Sequence, residues 1–403
     1  MPVPGRSSSA DDPVDGKGPR GPGSAAGAFS HPASAGGHSD HDAQTPAPSG
    51  LEGERAGGRS WCDRDVQTIE PPTASGLLDV GGGQVVYWEE WGRPDGVPAL
   101  HVHGGPGGGL GTSGYRERFD LGTTRVVGFE QRGCGRSTPH AGDADVSLAT
   151  NDTAHLIADM EALRVHLGVD AWVLNGVSWG STLALAYAQA YPERVLGIVL
   201  YAVTTTSRSE VDWITEGVGA IFPEAWDRFA GHAEQAGIGY RRGEGRLVEA
   251  YARLLESADP EVRDAASREW ALWEDTHVSI GAGGFSRHPR WDDAHFRLAF
   301  ARLTTHYWSH DGFCDPPILD RTDRQRGIPA TLIHGRRDIS SPASTAWRLH
   351  RSWPGSRLHV DEGDGHGGSS MATLWRVANA DLVARVRGPR QRPEPQEPRP
   401  PVG

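Results

Sequence analysis

One serine lies in a local sequence that could make it a nucleophile. Ser178 stands between Gly176 and Gly180, in a Gly-x-Ser-x-Gly turn that follows the mostly apolar run 171–177 and precedes a run of small residues. This order predicts a buried strand, a tight turn and a helix, with the serine hydroxyl at the strand end. The N–H groups at the start of that helix would favour negative charge beside the hydroxyl. The stretch therefore predicts a nucleophilic serine; the alternative is an ordinary strand-to-helix turn.

A serine hydroxyl needs a general base and an orienting carboxylate to react at neutral pH. His366 and Asp338 each follow an apolar run that predicts a strand, and the chain order serine, acid, histidine is one in which such triads occur. Asp338 is the expected acid and His366 the expected base, with a surface-loop histidine as the alternative. Asp361 and Asp364 are competing acids, although a carboxylate two positions from His366 has difficulty reaching its ring.

The tetrahedral intermediate of acyl transfer needs N–H donors for its oxyanion. The backbone N–H of Trp179, directly after the serine, and that of Gly105, in the glycine-rich loop 103–109, are the expected donors. His103 begins this loop and is a second candidate histidine, with a structural role as the expected one. The loop has neither the Lys-Ser/Thr of a phosphate cradle nor dinucleotide-binding spacing, so nucleotide binding is not predicted.

Charge and cysteine content restrict the partners that we expect. The 403 residues include 40 Lys and Arg and 52 Asp and Glu, a formal net charge of −12, which argues against nucleic acid and against an anionic membrane surface. Cys62, Cys134 and Cys314 show neither metal-ligand spacing nor a disulfide framework. No metal or cofactor is therefore predicted. Since the N-terminus also lacks a secretory signal and no apolar run could span a bilayer, a cytoplasmic location is predicted.

Strands and helices alternate through most of the chain. A hairpin is predicted at 77–91, and further strands at 99–103, 125–130, 171–177, 195–202, 330–334 and 357–360. Helices are predicted at 150–167, from the serine to 191, and at 370–386. This alternation is typical of a mainly parallel sheet that is covered by helices on both faces. The carboxyl ends of its strands would bring the serine, the acid and the histidine to one edge.

Residues 207–326 interrupt the strand rhythm. They are tryptophan-rich and helical in pattern, and they are too many for a loop, so a helical cap over the serine is predicted. The core is then expected at 69–206 and 327–387. Residues 1–68 and 388–403 contain few large apolar side chains and are expected to be disordered tails.

Several motifs together resemble proline iminopeptidases (prolyl aminopeptidases), a serine peptidase family. They lie at 103–108 (HGGPGG), 131–137 (QRGCGRS), 176–187 (GVSWGSTLALAY), 219–223, 270–274, 301–307, 334–338 and 365–366. The resemblance covers about residues 70–385, including the cap. It implies an α/β-hydrolase fold, with a mostly parallel eight-stranded sheet and an inserted helical cap. It also implies release of an N-terminal residue, preferentially proline, from a peptide or amide through an acyl-enzyme, without metal.

The resemblance also implies which cap residues contact substrate. The family holds the charged amine of its substrate with cap carboxylates, and Glu274 matches one of these. An ammonium buried beside an apolar ring needs such a partner. Trp273, Tyr201 and Thr304 are the other expected contacts: the family's second glutamate falls on Thr304, and an arginine of the family falls on Tyr201.

Two other functions are compatible with the same residues. Thr304 and Tyr201, which replace charged residues of the family, are also compatible with an esterase or amidase that acts on a small metabolite. A binding protein on an inactive hydrolase scaffold is the third hypothesis, and the complete set of triad residues argues against it. The oligomeric state is not predicted.

Overall fold

A computed structural model describes residues 71–112, 114–280 and 283–388. The predicted tail 1–68 and all but Gly388 of the predicted tail 388–403 lie outside these ranges, as does Cys62. The described residues belong to one compact unit. None of the helices in these ranges is long and apolar enough to cross a membrane.

Eight strands form one sheet in the order β1-β2-β4-β3-β5-β6-β7-β8. The bounds are β1 Ala74–Gly81, β2 Gln84–Gly92, β3 Val97–Val102, β4 Thr124–Phe129, β5 Trp172–Val177, β6 Val195–Tyr201, β7 Ala330–Gly335 and β8 Ser356–Asp361. β2 pairs antiparallel with both β1 and β4, and every other neighbouring pair is parallel. The predicted mainly parallel eight-stranded sheet is confirmed.

The α-helices of the described ranges follow the predicted alternation. They are α1 Thr153–His166, α2 Trp179–Ala190, α3 Arg208–Thr215, α4 Pro223–Gln235, α5 Leu247–Leu255, α6 Pro260–His277, α7 Ala294–Ser309, α8 Ala343–Ser352 and α9 Ser369–Arg387. A short 3-10 helix, Gly114–Arg118, lies between β3 and β4. α1 begins at Thr153 because the side chain of the preceding residue, Asp152, accepts a hydrogen bond from the His155 N–H and caps the helix.

The central strands are buried on both faces, as parallel strands between two helical layers must be. Leu174 and Leu200 pack into a core with side chains of α1, α2 and α8. Val173 and Val199, their neighbours one position earlier, pack into a second core with α9. The period-two alternation of a strand therefore assigns consecutive residues to different helical layers.

Helices α3 to α7 lie between β6 and β7 in the chain. Their aromatic side chains form a third core, in which Phe229 stacks on Tyr251 and on Trp273 with ring centroids 4.3 and 5.1 Å apart. The tryptophans of this segment thus supply the core that allows it to pack as a helical unit.

Candidate active site

Ser178 occupies the turn between β5 and α2. Its backbone has φ 54° and ψ −124°, a conformation that L-residues rarely adopt, and its N–H donates to the Tyr201 carbonyl over 2.9 Å. A Cβ on Gly176 would overlap the Gly180 carbonyl, and a Cβ on Gly180 would overlap the Val102 carbonyl. The two glycines are therefore required for the close packing that holds the turn.

His366 joins the predicted serine and the predicted acid by hydrogen bonds. Its Nδ1 lies 2.9 Å from Asp338 Oδ2, and its Nε2 lies 3.1 Å from Ser178 Oγ. Because a carboxylate only accepts, Nδ1 carries the proton and Nε2 can accept from the serine hydroxyl. Asp338 is buried and also accepts from the Ser341 N–H over 3.0 Å, which fixes its orientation.

The competing acids have other partners. Asp361 Oδ1 accepts from the N–H groups of Gly363 and Asp364, and Asp364 Oδ2 accepts from the Met371 N–H at the start of α9. These carboxylates organise the loop that carries His366. The structure thus brings together Ser178, Asp338 and His366, the three residues expected from the sequence.

The electrostatics of the triad favour charge separation between acid and base. Burial lowers the pKa of His366, but the charge and hydrogen bond of Asp338, with a contribution from Glu274, raise it above its ordinary value. For Asp338 the directions are reversed: burial raises its pKa, but His366 and His334 bring the pKa below its ordinary value. An imidazolium beside an ionised Asp338 is therefore stabilised, as proton transfer from the serine requires.

The serine hydroxyl faces a cavity of about 430 Å³, a volume typical of small-molecule sites. The core contributes residues of the glycine-rich loop together with His101, Tyr115, Arg118 and Trp375. The inserted helices and their connections contribute Ile214, Glu274, His277, Arg290, Phe300 and Trp308. Ser178 and His366 lie on the same lining, so both halves of the molecule enclose the nucleophile.

The two expected oxyanion donors border this nucleophile. Gly105 lines the cavity and has φ +118°, where a side chain would be strained, and Trp179 is the first residue of α2. Together with Ser178 they also line a smaller adjoining cavity. Gln131, which sequence reasoning missed, links their segments: it accepts from Trp179 Nε1 over 2.9 Å and donates to the His103 carbonyl over 3.0 Å.

Both ring nitrogens of His103 contact backbone groups of neighbouring residues. Its Nε2 accepts from the Gln131 N–H over 3.1 Å, and its Nδ1 lies 2.9 Å from the Gly104 carbonyl. The ring therefore braces the glycine-rich loop against the end of β4, and it is unavailable as a base for Ser178.

Glu274 presents a carboxylate to the cavity from the last turn of α6. Its Oε1 accepts from Trp270 Nε1 over 3.1 Å, and its Oε2 lies 3.4 Å from His277 Nε2. Burial raises the pKa of Glu274, but His277 and Arg290 bring it below the ordinary value of a glutamate. The site therefore holds a buried anion in the same cavity as the nucleophile.

Two aromatic residues expected to contact substrate lie elsewhere. Trp273 is fully buried in the aromatic core of the inserted helices, where its Nε1 donates to the Ile214 carbonyl over 3.0 Å. Side chains of consecutive helical residues point about 100° apart, so Trp273 does not share the direction of Glu274, which points into the cavity. Tyr201 packs on Trp375 on the α9 side of the sheet, and its hydroxyl accepts from the Gly368 N–H. Neither side chain lines the cavity.

Thr304 is also not a lining residue. It is fully buried on α7, and its hydroxyl donates to the Pro106 carbonyl over 3.2 Å. The side chain thus ties α7 to the glycine-rich loop. Arg290, which sequence reasoning missed, does line the cavity; its guanidinium lies over Trp291 and Phe300 at 4.0 and 5.1 Å from the ring centroids.

A serine at a strand-to-helix turn of a mainly parallel sheet, with an acid and a histidine after later strands, defines an α/β-hydrolase. A family model of the α/β-hydrolase fold matches residues 100–369. The chain is 42% identical over 319 residues to a probable proline iminopeptidase of Streptomyces coelicolor, covering 78% of this chain and 96% of that one. It is 40% identical over 318 residues to a proline iminopeptidase of Arabidopsis thaliana, covering 78% and 80%. The chain therefore belongs to the proline iminopeptidase family.

A solved structure gives independent support for the fold. The crystal structure of proline iminopeptidase from Mycobacterium smegmatis superposes with a TM-score of 0.50 and 16% identity. The superposition covers 77% of this chain and 99% of that one. At this level of identity the likeness concerns the fold alone.

Proposed function

We propose that this chain is a serine aminopeptidase that releases N-terminal proline from short peptides and related amides. The observation that carries the proposal is the position of Glu274: a buried carboxylate with a lowered pKa lines the same cavity as the hydroxyl of Ser178. An esterase with a neutral substrate has no need of a buried anion there, whereas a free ammonium in an apolar site requires one. Membership of the proline iminopeptidase family supports the same substrate class.

In the proposed reaction, Ser178 Oγ attacks the first carbonyl of the substrate while His366 Nε2 accepts the hydroxyl proton. The developing oxyanion receives hydrogen bonds from the N–H groups of Gly105 and Trp179. His366 then donates its proton to the leaving amine, the C–N bond breaks, and an ester on Ser178 remains. Water, deprotonated by His366, hydrolyses that ester and regenerates the serine. Asp338 holds the imidazole in the required tautomer and stabilises its charged form.

Glu274 acts on binding and not on bond cleavage. In the proposed complex its carboxylate pairs with the secondary ammonium of the N-terminal proline. Ile214, Phe300 and Trp308 line the same cavity and offer apolar surface to the pyrrolidine ring. Helices α3 to α7 then serve as a cap, since they supply Glu274 and most of this apolar wall.

The experiment that tests the proposal combines a substrate and an active-site probe. We expect wild type to hydrolyse proline 4-nitroanilide and to be labelled by a fluorophosphonate, and Ser178→Ala to do neither. Labelling without cleavage of any free-N-terminal anilide would support an esterase instead. Absence of labelling in folded wild type would support a non-enzymatic protein.

A cytoplasmic location belongs to the same proposal. It is supported by the two described cysteines, of which Cys134 is buried and Cys314 half-buried and neither is in a disulfide. Fractionation of native cells, followed by assay of proline anilide cleavage, tests the location.

A further inference from the structure

The cavity lining contains two arginines that the proposed reaction does not use, Arg118 and Arg290. Arg118 ends the short 3-10 helix Gly114–Arg118 and lines the cavity together with His101, Tyr115 and Trp375. Within residues 71–112, 114–280 and 283–388, no carboxylate forms an ion pair with its guanidinium and no side chain or carbonyl accepts from it, whereas its backbone carbonyl accepts from Asn379 Nδ2 over 3.0 Å. A half-buried guanidinium in a substrate cavity is thus left with unused donors.

Arg118 and Glu274 come from opposite parts of the lining. Glu274 is on α6 of the inserted helices, and the charges that act on it are those of His277, Arg290 and His366. Arg118 belongs to the core, where its charge opposes the rise that burial causes in the pKa of Tyr201. Ser178 lies on the same lining. The cavity therefore has an anionic group from the inserted helices and, from the core, a cation that is paired with none of the carboxylates the structure describes.

The second cavity arginine is placed differently. Arg290 is close enough to Glu274 and His366 to lower the pKa of the first and oppose the raised pKa of the second. It therefore lies on the side of the site that would hold the substrate amine. Its guanidinium stacks on two aromatic rings, Trp291 and Phe300. A substrate carboxylate on the leaving-group side of the scissile bond would meet Arg118 and not Arg290.

We propose that Arg118 binds the C-terminal carboxylate of the substrate, so that the preferred substrates are free-acid dipeptides and tripeptides. The inference rests on the proposed aminopeptidase function, because it takes the amine to lie at Glu274. A peptide with both termini in one cavity of about 430 Å³ must be short, since each extended residue adds about 3.3–3.6 Å. The guanidinium fork matches a carboxylate in bidentate geometry, which makes Arg118 a specificity-determining residue.

The test compares two substrates that differ only at the C-terminus, Pro-Leu and Pro-Leu-amide. The measured quantity is the ratio of their kcat/KM values, acid over amide. We expect Arg118→Gln to lower this ratio by about 10- to 100-fold relative to wild type, the usual size of a charge-assisted contact. Comparing variants on the same substrate pair removes the difference in reactivity between the two leaving groups.

Two variants serve as controls for the loss of one positive charge. Arg116 is in the same 3-10 helix, but its guanidinium lies over the Trp91 ring at 4.6 Å and does not line the cavity. Arg116→Gln is expected to keep the wild-type ratio. Arg290→Gln is also expected to keep it, because Arg290 lies beside the amine. Arg118→Lys should retain part of the preference, since a point charge replaces the fork.

The results separate this inference from the proposed function. A carboxylate site at Arg118 is contradicted if Arg118→Gln keeps the wild-type ratio, or if Arg290→Gln lowers the ratio instead. In either case, cleavage of both peptides would still support an aminopeptidase. If folded wild type cleaves neither peptide nor proline 4-nitroanilide, the proposed function fails first. Thermal melting of each variant identifies any that is unfolded, and Arg118→Lys then replaces Arg118→Gln in the comparison.

Discussion

Glu274 Oε2 lies 3.4 Å from His277 Nε2, one helical turn apart on α6. His277 is buried, and its Nδ1 lies 2.7 Å from Ser340 Oγ. The histidine therefore stands between the carboxylate and a serine that also lines the cavity. This arrangement holds the Glu274 side chain at a fixed place on the cavity wall, which is what binding of a substrate amine at one distance from Ser178 requires.

Replacing Glu274 by glutamine should weaken binding of substrates with a free amine. We expect kcat/KM for proline 4-nitroanilide to fall about 100-fold, because a buried ammonium loses its charged partner. Steady-state kinetics provide the measurement. Glu269→Gln is the matched control: it removes a carboxylate from the same helix that pairs with Arg228 and does not line the cavity. Equal effects of the two substitutions would exclude a specific role for Glu274.

The acid limb of the pH profile should follow His366. Its pKa is raised above the ordinary 6.5 by Asp338 and Glu274, and only its neutral form accepts the serine proton. Activity should therefore be lost as pH falls through a value above 6.5, whereas Glu274, with a pKa below 4.5, stays ionised there. In Glu274→Gln the midpoint of kcat/KM should move to lower pH. An unchanged midpoint would contradict the coupling between the two groups.

The identity of the acid is tested by Asp338→Asn. The two Asp338 oxygens accept separately from the Ser341 N–H and from His366 Nδ1, whereas asparagine has one oxygen and one NH₂ group, so the required tautomer of His366 is no longer held. Such a substitution lowers kcat by roughly 10⁴-fold. Asp361→Asn is the comparison, because its side-chain oxygen can still accept from Gly363 and Asp364 N–H groups. We expect kcat close to wild type for Asp361→Asn. A larger loss there than in Asp338→Asn would reverse the assignment.

Gln131 should matter for both activity and stability. In Gln131→Leu the buried Trp179 Nε1–H loses its acceptor, which should reduce the free energy of unfolding by about 1–3 kcal/mol. Displacement of the segments carrying Gly105 and Trp179 should lower kcat about 10- to 100-fold. Gln189→Leu is the control: it removes another buried glutamine, which donates to Gln325 Oε1, and neither of these residues lines the cavity. Urea denaturation should show both variants destabilised, and a kcat loss shared by Gln189→Leu would contradict the link.

The fold and the positions of the triad residues could be predicted from sequence because their determinants are local. Glycines on both sides of Ser178 encode the turn, and Asp338 and His366 each follow an apolar strand. Parallel strands bring such residues to one edge without any detail of packing. The structure and the family model confirm the predicted α/β-hydrolase fold, and the similarity to known relatives confirms the predicted proline iminopeptidase family.

The part of the cavity formed by helices α3 to α7 depends on how these helices pack, so the sequence alone identified fewer of its lining residues. Trp273 is adjacent to Glu274 in sequence but points into the aromatic core, whereas His277, three residues on, shares the face of Glu274. Helical spacing could have identified His277. No motif around Arg290 predicts that it lines the cavity. Its position there depends on the conformation of the chain segment that connects α6 to α7.

In the proposed complex the substrate amine must be free and charged to pair with Glu274 while Ser178 attacks. The most direct measurement compares proline 4-nitroanilide with N-acetylproline 4-nitroanilide on wild-type enzyme, with Ser178→Ala as the blank. We predict turnover of the free substrate and at least about 100-fold lower kcat/KM for the acetylated one, which cannot carry the charge. Equal cleavage of the two substrates by wild type would contradict the pairing of the amine with Glu274 and would favour a general amidase.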